Sequence, residues 1–250
     1  RIRRRSSRKV ATLMPKPILI GADPEVFLKD TKTGHFVSAH GQFPGTKDNP
    51  VPLGNRGFMQ VDGHALEFNI HPCATENEFV ENIQDCLALL KREVRLVDPD
   101  LEIVFDPVAE FDETYFESLS PDSKILGCNP DFSAVTGDVL DAPDIANVPI
   151  RTSSGHIHIG WTQFDDAWDD EQFALRLEIA NKITPHLLSV SKEWETDASN
   201  ERRRYYGGNG AFRPKDYGVE LRCLDGLWLT SEDRMRKVYR AAYDNFCSEF

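Results

Sequence analysis

Residues 153 to 160 read Ser-Ser-Gly-His-Ile-His-Ile-Gly and set two imidazoles two positions apart. Side chains alternate faces along a β-strand, so His156 and His158 share one face while Ile157 and Ile159 share the other. One face is apolar; the other can bind a divalent cation or pass a proton. A single His-x-His would equally suit a hydrogen-bonded pair in a polar loop. Three further segments repeat the design: Gly21-Ala-Asp-Pro-Glu-Val-Phe-Leu28, Asp62-Gly-His-Ala-Leu-Glu-Phe-Asn-Ile70 and Tyr217-Gly-Val-Glu-Leu-Arg-Cys-Leu-Asp225. Each predicts a strand in which apolar residues alternate with acidic, amide or guanidinium groups. Asp23 shares a face with Glu25, Glu67 with Asn69, and Glu220 with Arg222. In one sheet these strands would merge their polar faces into a patch of Asp23, Glu25, Glu67, Asn69, His156, His158, Glu220 and Arg222. Grouped carboxylates repel one another and lose hydration when buried, so a bound metal is the simplest explanation of such a patch.

Upstream of the last strand, Arg202-Arg-Arg-Tyr-Tyr-Gly-Gly-Asn-Gly-Ala-Phe-Arg213 combines four arginines with three glycines. Glycines let backbone approach a ligand closely, and guanidinium groups hold carboxylate or phosphate in bidentate fashion. The segment lacks the Gly-Lys-Ser/Thr ending of a P-loop, and Gly-Gly-Asn-Gly is not a dinucleotide fingerprint. A nucleotide would have to be held by another architecture.

These groups need a scaffold, and the remaining pattern predicts one. Thr75 caps a helix in which Phe79, Ile83, Leu87, Leu90 and Val94 recur at spacings of three and four. Leu101 to Phe105 reads as a short strand, Glu171 to Leu188 as a helix interrupted near Pro185, and Met235, Val238, Ala242 and Phe246 as a closing helix. Gly41 to Gly57 and Lys124 to Pro149 read as irregular. The fold class expected is α+β, a mostly antiparallel sheet with flanking helices, in a single domain over residues 17–250 behind a basic, disordered leader, residues 1–16. The chain has 250 residues, 40% of them hydrophobic, and a net charge of −12. Its acidity argues against a nucleic-acid surface, although Mg²⁺ lets acidic proteins hold nucleotide phosphates. Five scattered cysteines without Cys-x-x-Cys spacing argue against a disulfide framework or a zinc ribbon. No apolar run approaches membrane-spanning length, and a cytoplasmic location is expected.

Taken in order from about Ile20 to Trp228, the motifs Gly-Ala-Asp-Pro-Glu, Ala-Leu-Glu-Phe-Asn, Gly-Cys-Asn-Pro-Asp, Gly-His-Ile-His-Ile-Gly and Tyr-Gly-Val-Glu-Leu-Arg carry a resemblance. The chain resembles the carboxylate-amine ligases of the glutamine synthetase and glutamate-cysteine ligase superfamily, and most nearly the phage and bacterial amidoligases called COOH-NH2 ligase type 2. That resemblance implies a curved glutamine-synthetase-like sheet using ATP and two or more Mg²⁺ (or Mn²⁺) ions. It implies Asp23, Glu25, Glu67, His156 and Glu220 as metal ligands, His158 as a phosphate or substrate contact, and Arg213 and Arg222 as groups meeting the transferred phosphoryl. Arg204 and Asn69 join those two arginines as nucleotide contacts. The implied reaction converts a small-molecule or peptide carboxylate to an acyl phosphate, which an amine then attacks, with Glu25 or Glu67 available to take the ammonium proton. The chain is shorter than glutamine synthetase and lacks a clear separate N-terminal domain, so substrate identity does not transfer. Two other classes stay open: a zinc hydrolase built on the histidines and a carboxylate, and a non-catalytic binding protein of the same fold. A cysteine hydrolase centred on Cys128 is weaker, because Asn-Pro-Asp beside it reads as a turn.

Overall fold

The computed structural model describes residues 18–124, 131–141, 145, 147–161, 166–208 and 210–250. The basic leader and residues 127–130 of the Gly-Cys-Asn-Pro-Asp motif lie outside the described residues. The first half of the chain runs β1 (Leu19–Ala22), β2 (Glu25–Asp30), β3 (Phe36–Val37), β4 (Val51–Leu53), β5 (Gly57–Asp62), β6 (Ala65–Ile70), α1 (Glu76–Val97), β7 (Leu101–Val104), β8 (Val108–Glu110) and α2 (Glu113–Ser118). The second half follows with β9 (Asp131–Ser133), β10 (Val139–Leu140), β11 (Ile150–Thr152), β12 (Ile157–Gly160), α3 (Asp170–Ser191), α4 (Asp197–Tyr205), β13 (Ala211–Lys215), β14 (Gly218–Leu221) and α5 (Glu232–Glu249). The class is α+β, with antiparallel strands curled into a half-barrel.

The four polar strands do not share one sheet, which corrects the sequence expectation. One sheet has the order β1-β12-β14-β13-β9-β10; another has β3-β2-β6-β5-β4, with β7 also pairing β2. The segment from Gly21 to Leu28, read as one strand, breaks at Asp23-Pro24, and its halves join different sheets. Proline has no N–H for a ladder and restricts the residue before it, so the chain leaves the first sheet there. The Pro24 carbonyl accepts from Phe68 N at 3.1 Å, and Glu25 N donates to the Ser154 carbonyl at 2.8 Å. Asp23 and Glu25 therefore sit at the seam between the two sheets.

The segment from Asp62 to Ile70 is likewise not a single strand. Asp62 pairs with Ala65 across the two-residue turn Gly63-His64, closing the β5–β6 hairpin. Gly63, the first of the two turn residues, has a φ of 56°, a left-handed conformation that glycine adopts without steric cost.

Helix α1 starts where its capping box predicts: Thr75 accepts from Glu78 N while the Glu78 side chain reaches back to the cap. It buries Phe79, Ile83, Leu87, Leu90 and Val94 against the sheets. Helix α3 runs from 170 to 191 without interruption, although Pro185 lies inside it. An internal proline costs about 3 kcal/mol, but Ile179, Ile183 and Leu187 are fully buried on the same helix and contribute roughly 1.5–3 kcal/mol each. Packing therefore outweighs propensity. Among the described residues no helix is long and apolar enough to cross a membrane.

Candidate functional site

Strand register places two rows of polar side chains across the two sheets. In the first sheet Glu220 of β14 stands opposite His158 on one side and Arg213 on the other. In the second, Glu67 of β6 stands opposite Glu25 of β2 and Gln60 of β5. Glu220 and Arg213 of the first row and all three residues of the second row line one cavity of about 460 Å³, together with Asp23, Asp62, Asp131, His156, Arg204, Lys215 and Arg222. The strand alternation that buries Val26, Leu66, Phe68, Ile157, Ile159, Val219 and Leu221 on the helix side is what turns these groups toward the cavity.

The first row is neutralised by the chain's own cations. Glu220, 1% exposed, pairs with Arg222 and with Lys215 Nζ at 2.6 Å, while Arg213 Nη1 lies 3.9 Å away. Arg213 and Arg222 also share Asp131, at 2.9 and 3.0 Å. Asp23 receives both histidines: His158 Nε2 at 2.7 Å and His156 Nδ1 at 3.2 Å meet the same oxygen, Oδ1. Burial alone would raise the Asp23 carboxyl, but its two imidazole neighbours, His158 first and then His156, outweigh it and hold it well below the usual aspartate range. Burial, reinforced by Arg222, pushes His156 down to about 3, so it is a neutral imidazole at pH 7.

Among the described residues the second row has no such ion pairs, although Lys47 at the cavity wall partly offsets the burial that raises Asp62. Glu25, Asp62 and Glu67 each bring an oxygen within 4.8 Å of the other two. Burial, helped by Asp62 and Asp23 against the pull of Arg222 and Arg202, raises Glu25 to about 8. Glu67 is also pushed well above the usual range, by burial and then by repulsion from Asp23, Glu25, Asp62 and Glu220. Two amides, Gln60 at 3.1 Å and Asn69 at 2.8 Å, donate to Glu67 Oε1 and fix its orientation without cancelling its charge. An all-oxygen group whose carboxyls cannot all ionise without an added positive charge fits a hard divalent cation. A second group, Asp23, His158 and Glu220, has a similar spacing, but the Glu220 charge is already met by Lys215 and Arg222, and Asp23 is hydrogen-bonded to both imidazoles.

Buried arginines and close-packed glycines hold these strands in place. Gly155 precedes His156 because a Cβ there would stand 2.2 Å from Trp228 Nε1 and 2.3 Å from the Asp225 carbonyl. Arg202, 1% exposed, donates to the carbonyls of Ser153, Arg222 and Cys223 and to the Ser154 hydroxyl, tying the end of α4 to the segments that carry His156 and Arg222. Gly207, with a φ of 74°, lets the chain turn off α4 directly over that guanidinium. Arg176, from α3, donates to the carbonyls of Lys215, Asp216 and Gly218 and so pins the β13–β14 hairpin.

Asp23, Glu25, Glu67, His156, Glu220 and Arg222, marked by the strand alternation, line one cavity; Arg213, from the arginine-glycine segment, joins them, and His158 is tied to them through Asp23. The arginine-glycine segment is different: residues 202–204 form the last turn of α4 rather than a loop. Arg202 is structural, Arg203 is ion-paired with Glu195, and only Arg204 is exposed along the cavity. Asn69 is engaged with Glu67. Asp62, Asp131, Lys215, Tyr206 and Tyr217 were not singled out from the sequence. Asp62 had a signal, since Gln60 and Asp62 alternate with Met59 and Val61 ahead of the Asp-Gly turn; Asp131, at the end of Asn-Pro-Asp, had only the look of a turn residue. Neither a scan against models of protein families nor a search of curated proteins returns a match to this chain.

Proposed function

We propose that this cavity binds a divalent cation and ATP, and that the protein is a carboxylate-amine ligase of the kind its ordered motifs resemble. The Glu25–Asp62–Glu67 group carries the reading: three carboxylates within 4.8 Å of one another, in the same cavity as Arg204, Arg213, Lys215 and Arg222. Anionic phosphates require cations, and a hard cation requires oxygen ligands; both sets are adjacent here. Glu25, Asp62 and Glu67 would hold the ion, with Asp23 and Glu220 next to it. When bound, Mg²⁺-ATP supplies a phosphoryl group that turns a carboxylate, otherwise a poor acyl donor, into a good one.

The chain's own residues then have separable tasks. Arg213 and Arg222 are aimed by Asp131, which restricts their rotation and holds both guanidinium groups at the cavity wall, where an anion would meet them. Lys215 and Arg204 add positive charge at the cavity wall. Gln60 and Asn69 keep Glu67 directed at the ion.

The test is Mg²⁺-dependent release of ADP and phosphate in mixtures of carboxylate and amine. Turnover that needs both partners and disappears in Glu67→Gln supports the ligase. Absence of nucleotide binding, together with Zn²⁺-stimulated amide hydrolysis, replaces it with a hydrolase. Function that survives both Glu67→Ala and Glu220→Ala replaces it with a binding protein.

A further inference from the structure

Each histidine of the His-Ile-His strand has Asp23 on one ring nitrogen and a tyrosine hydroxyl on the other. His156 Nδ1 lies 3.2 Å from Asp23 Oδ1, and its Nε2 lies 3.1 Å from the Tyr206 hydroxyl. His158 uses its ring the other way round: Nε2 is 2.7 Å from the same Asp23 oxygen, and Nδ1 is 2.5 Å from the Tyr217 hydroxyl. A carboxylate only accepts, so the nitrogen facing Asp23 carries the proton in both rings. Among the described residues neither phenol has another hydrogen-bond partner, so each hydroxyl donates to the nitrogen it faces. Neither imidazole then presents an open lone pair to the cavity.

The supports of the two chains are rigid. Tyr206 caps the end of α4 with the guanidinium groups of Arg202 and Arg222 at 5.1 and 5.0 Å from its ring centroid. Tyr217 sits in the β13–β14 turn pinned by Arg176. What they jointly hold is the one carboxylate displaced from both ladders by Pro24.

We infer that His156 and His158 are positioning residues, not cation ligands: two converging Tyr–His–Asp chains orient Asp23, and carboxylate oxygens alone meet the ion. This rests on the cation-binding reading above. It departs from the role that resemblance gives His156, and it makes Tyr206 and Tyr217 part of the site's outer shell.

Two measurements on the full chain test it. Nitrogen NMR of ¹⁵N-histidine-labelled, cation-free protein should show the proton on Nδ1 of His156 and on Nε2 of His158. Tyr206→Phe should move only the His156 Nε2 resonance, and Tyr217→Phe only that of His158 Nδ1. Electron spin-echo spectroscopy of the Mn²⁺-loaded protein should show no nitrogen coupling of the size given by directly bound imidazole. A bound-imidazole coupling, or the opposite tautomer in either ring, overturns the inference. Should Mn²⁺ not bind at all, the cation reading fails, while the tautomers and the two tyrosine variants still decide whether the chains exist.

Discussion

Glu220 and Glu67 occupy matching places in two neighbouring sheets, each flanked on both sides across the strands, yet their neighbours are opposite in kind. Glu220 stands between His158 and Arg213, with Lys215 and Arg222 in reach. Glu67 stands between Glu25 and Gln60, with Asp62 nearby. Like charges directly opposite on paired strands are destabilising, whereas alternating charges support pairing. One row is thus complete within the chain, and the other is complete only when something positive is added. The contrast shows in the protonation behaviour, since Asp23 is held well below the usual range while Glu25 is raised to about 8.

The largest effect should come from dismantling the complete row. Arg222→Met removes one of the cations around buried Glu220 and half-buried Asp131, leaving Arg213 and Lys215, and breaking a buried pair costs up to about 3–5 kcal/mol. Urea denaturation should show this loss; a change below about 1 kcal/mol would mean that the first row does not depend on its arginines.

The incomplete row should behave in the reverse sense. Glu67→Gln removes repulsion, so the cation-free protein should melt at a higher temperature while Mn²⁺ affinity falls at least ~100-fold, beyond the usual effect of outer-shell changes. Unchanged Mn²⁺ affinity by titration calorimetry would remove Glu67 from the ion site.

The pH dependence separates the rows next. In the folded, cation-free state Glu25 keeps its proton up to about 8, whereas the unfolded chain releases it near 4.5, so the folded state binds more protons in that window. Stability should therefore fall as pH rises from about 4.5 to about 8, by up to about 1.4 kcal/mol per pH unit for this group. Thermal melts with chelator and with Mg²⁺ check it: the ion should flatten the slope, and a slope that is equally steep with Mg²⁺ would separate ion binding from this row. The smallest effect belongs to exposed Arg204, whose replacement by Ala should raise the KM for ATP only about two- to threefold, as befits a solvated charge. A larger change would place the nucleotide against the end of α4.

Much of the site could be read before the fold, because a period of two is a local property of the chain. The alternation in four segments marked Asp23, Glu25, Glu67, His156, His158 and Glu220, and the Thr75 capping box marked where α1 begins. Helix α4 was not legible, because its arginines and neighbouring glycines carry no apolar periodicity. Asp131, the carboxylate shared by Arg213 and Arg222, was not legible either, since it lies 82 residues from Arg213 and meets it only through strand pairing.

The amino-acid order by itself determined which face of each strand is polar and where Pro24 interrupts the first one, because both follow from the geometry of adjacent residues. Only the tertiary structure decided how the polar faces are divided between two sheets. That division set the charge around each carboxylate, since electrostatic neighbours act through space and over a few ångströms, whatever their separation along the chain. It is why the charge of Glu220 is met from within, and why a cation is proposed beside Glu67.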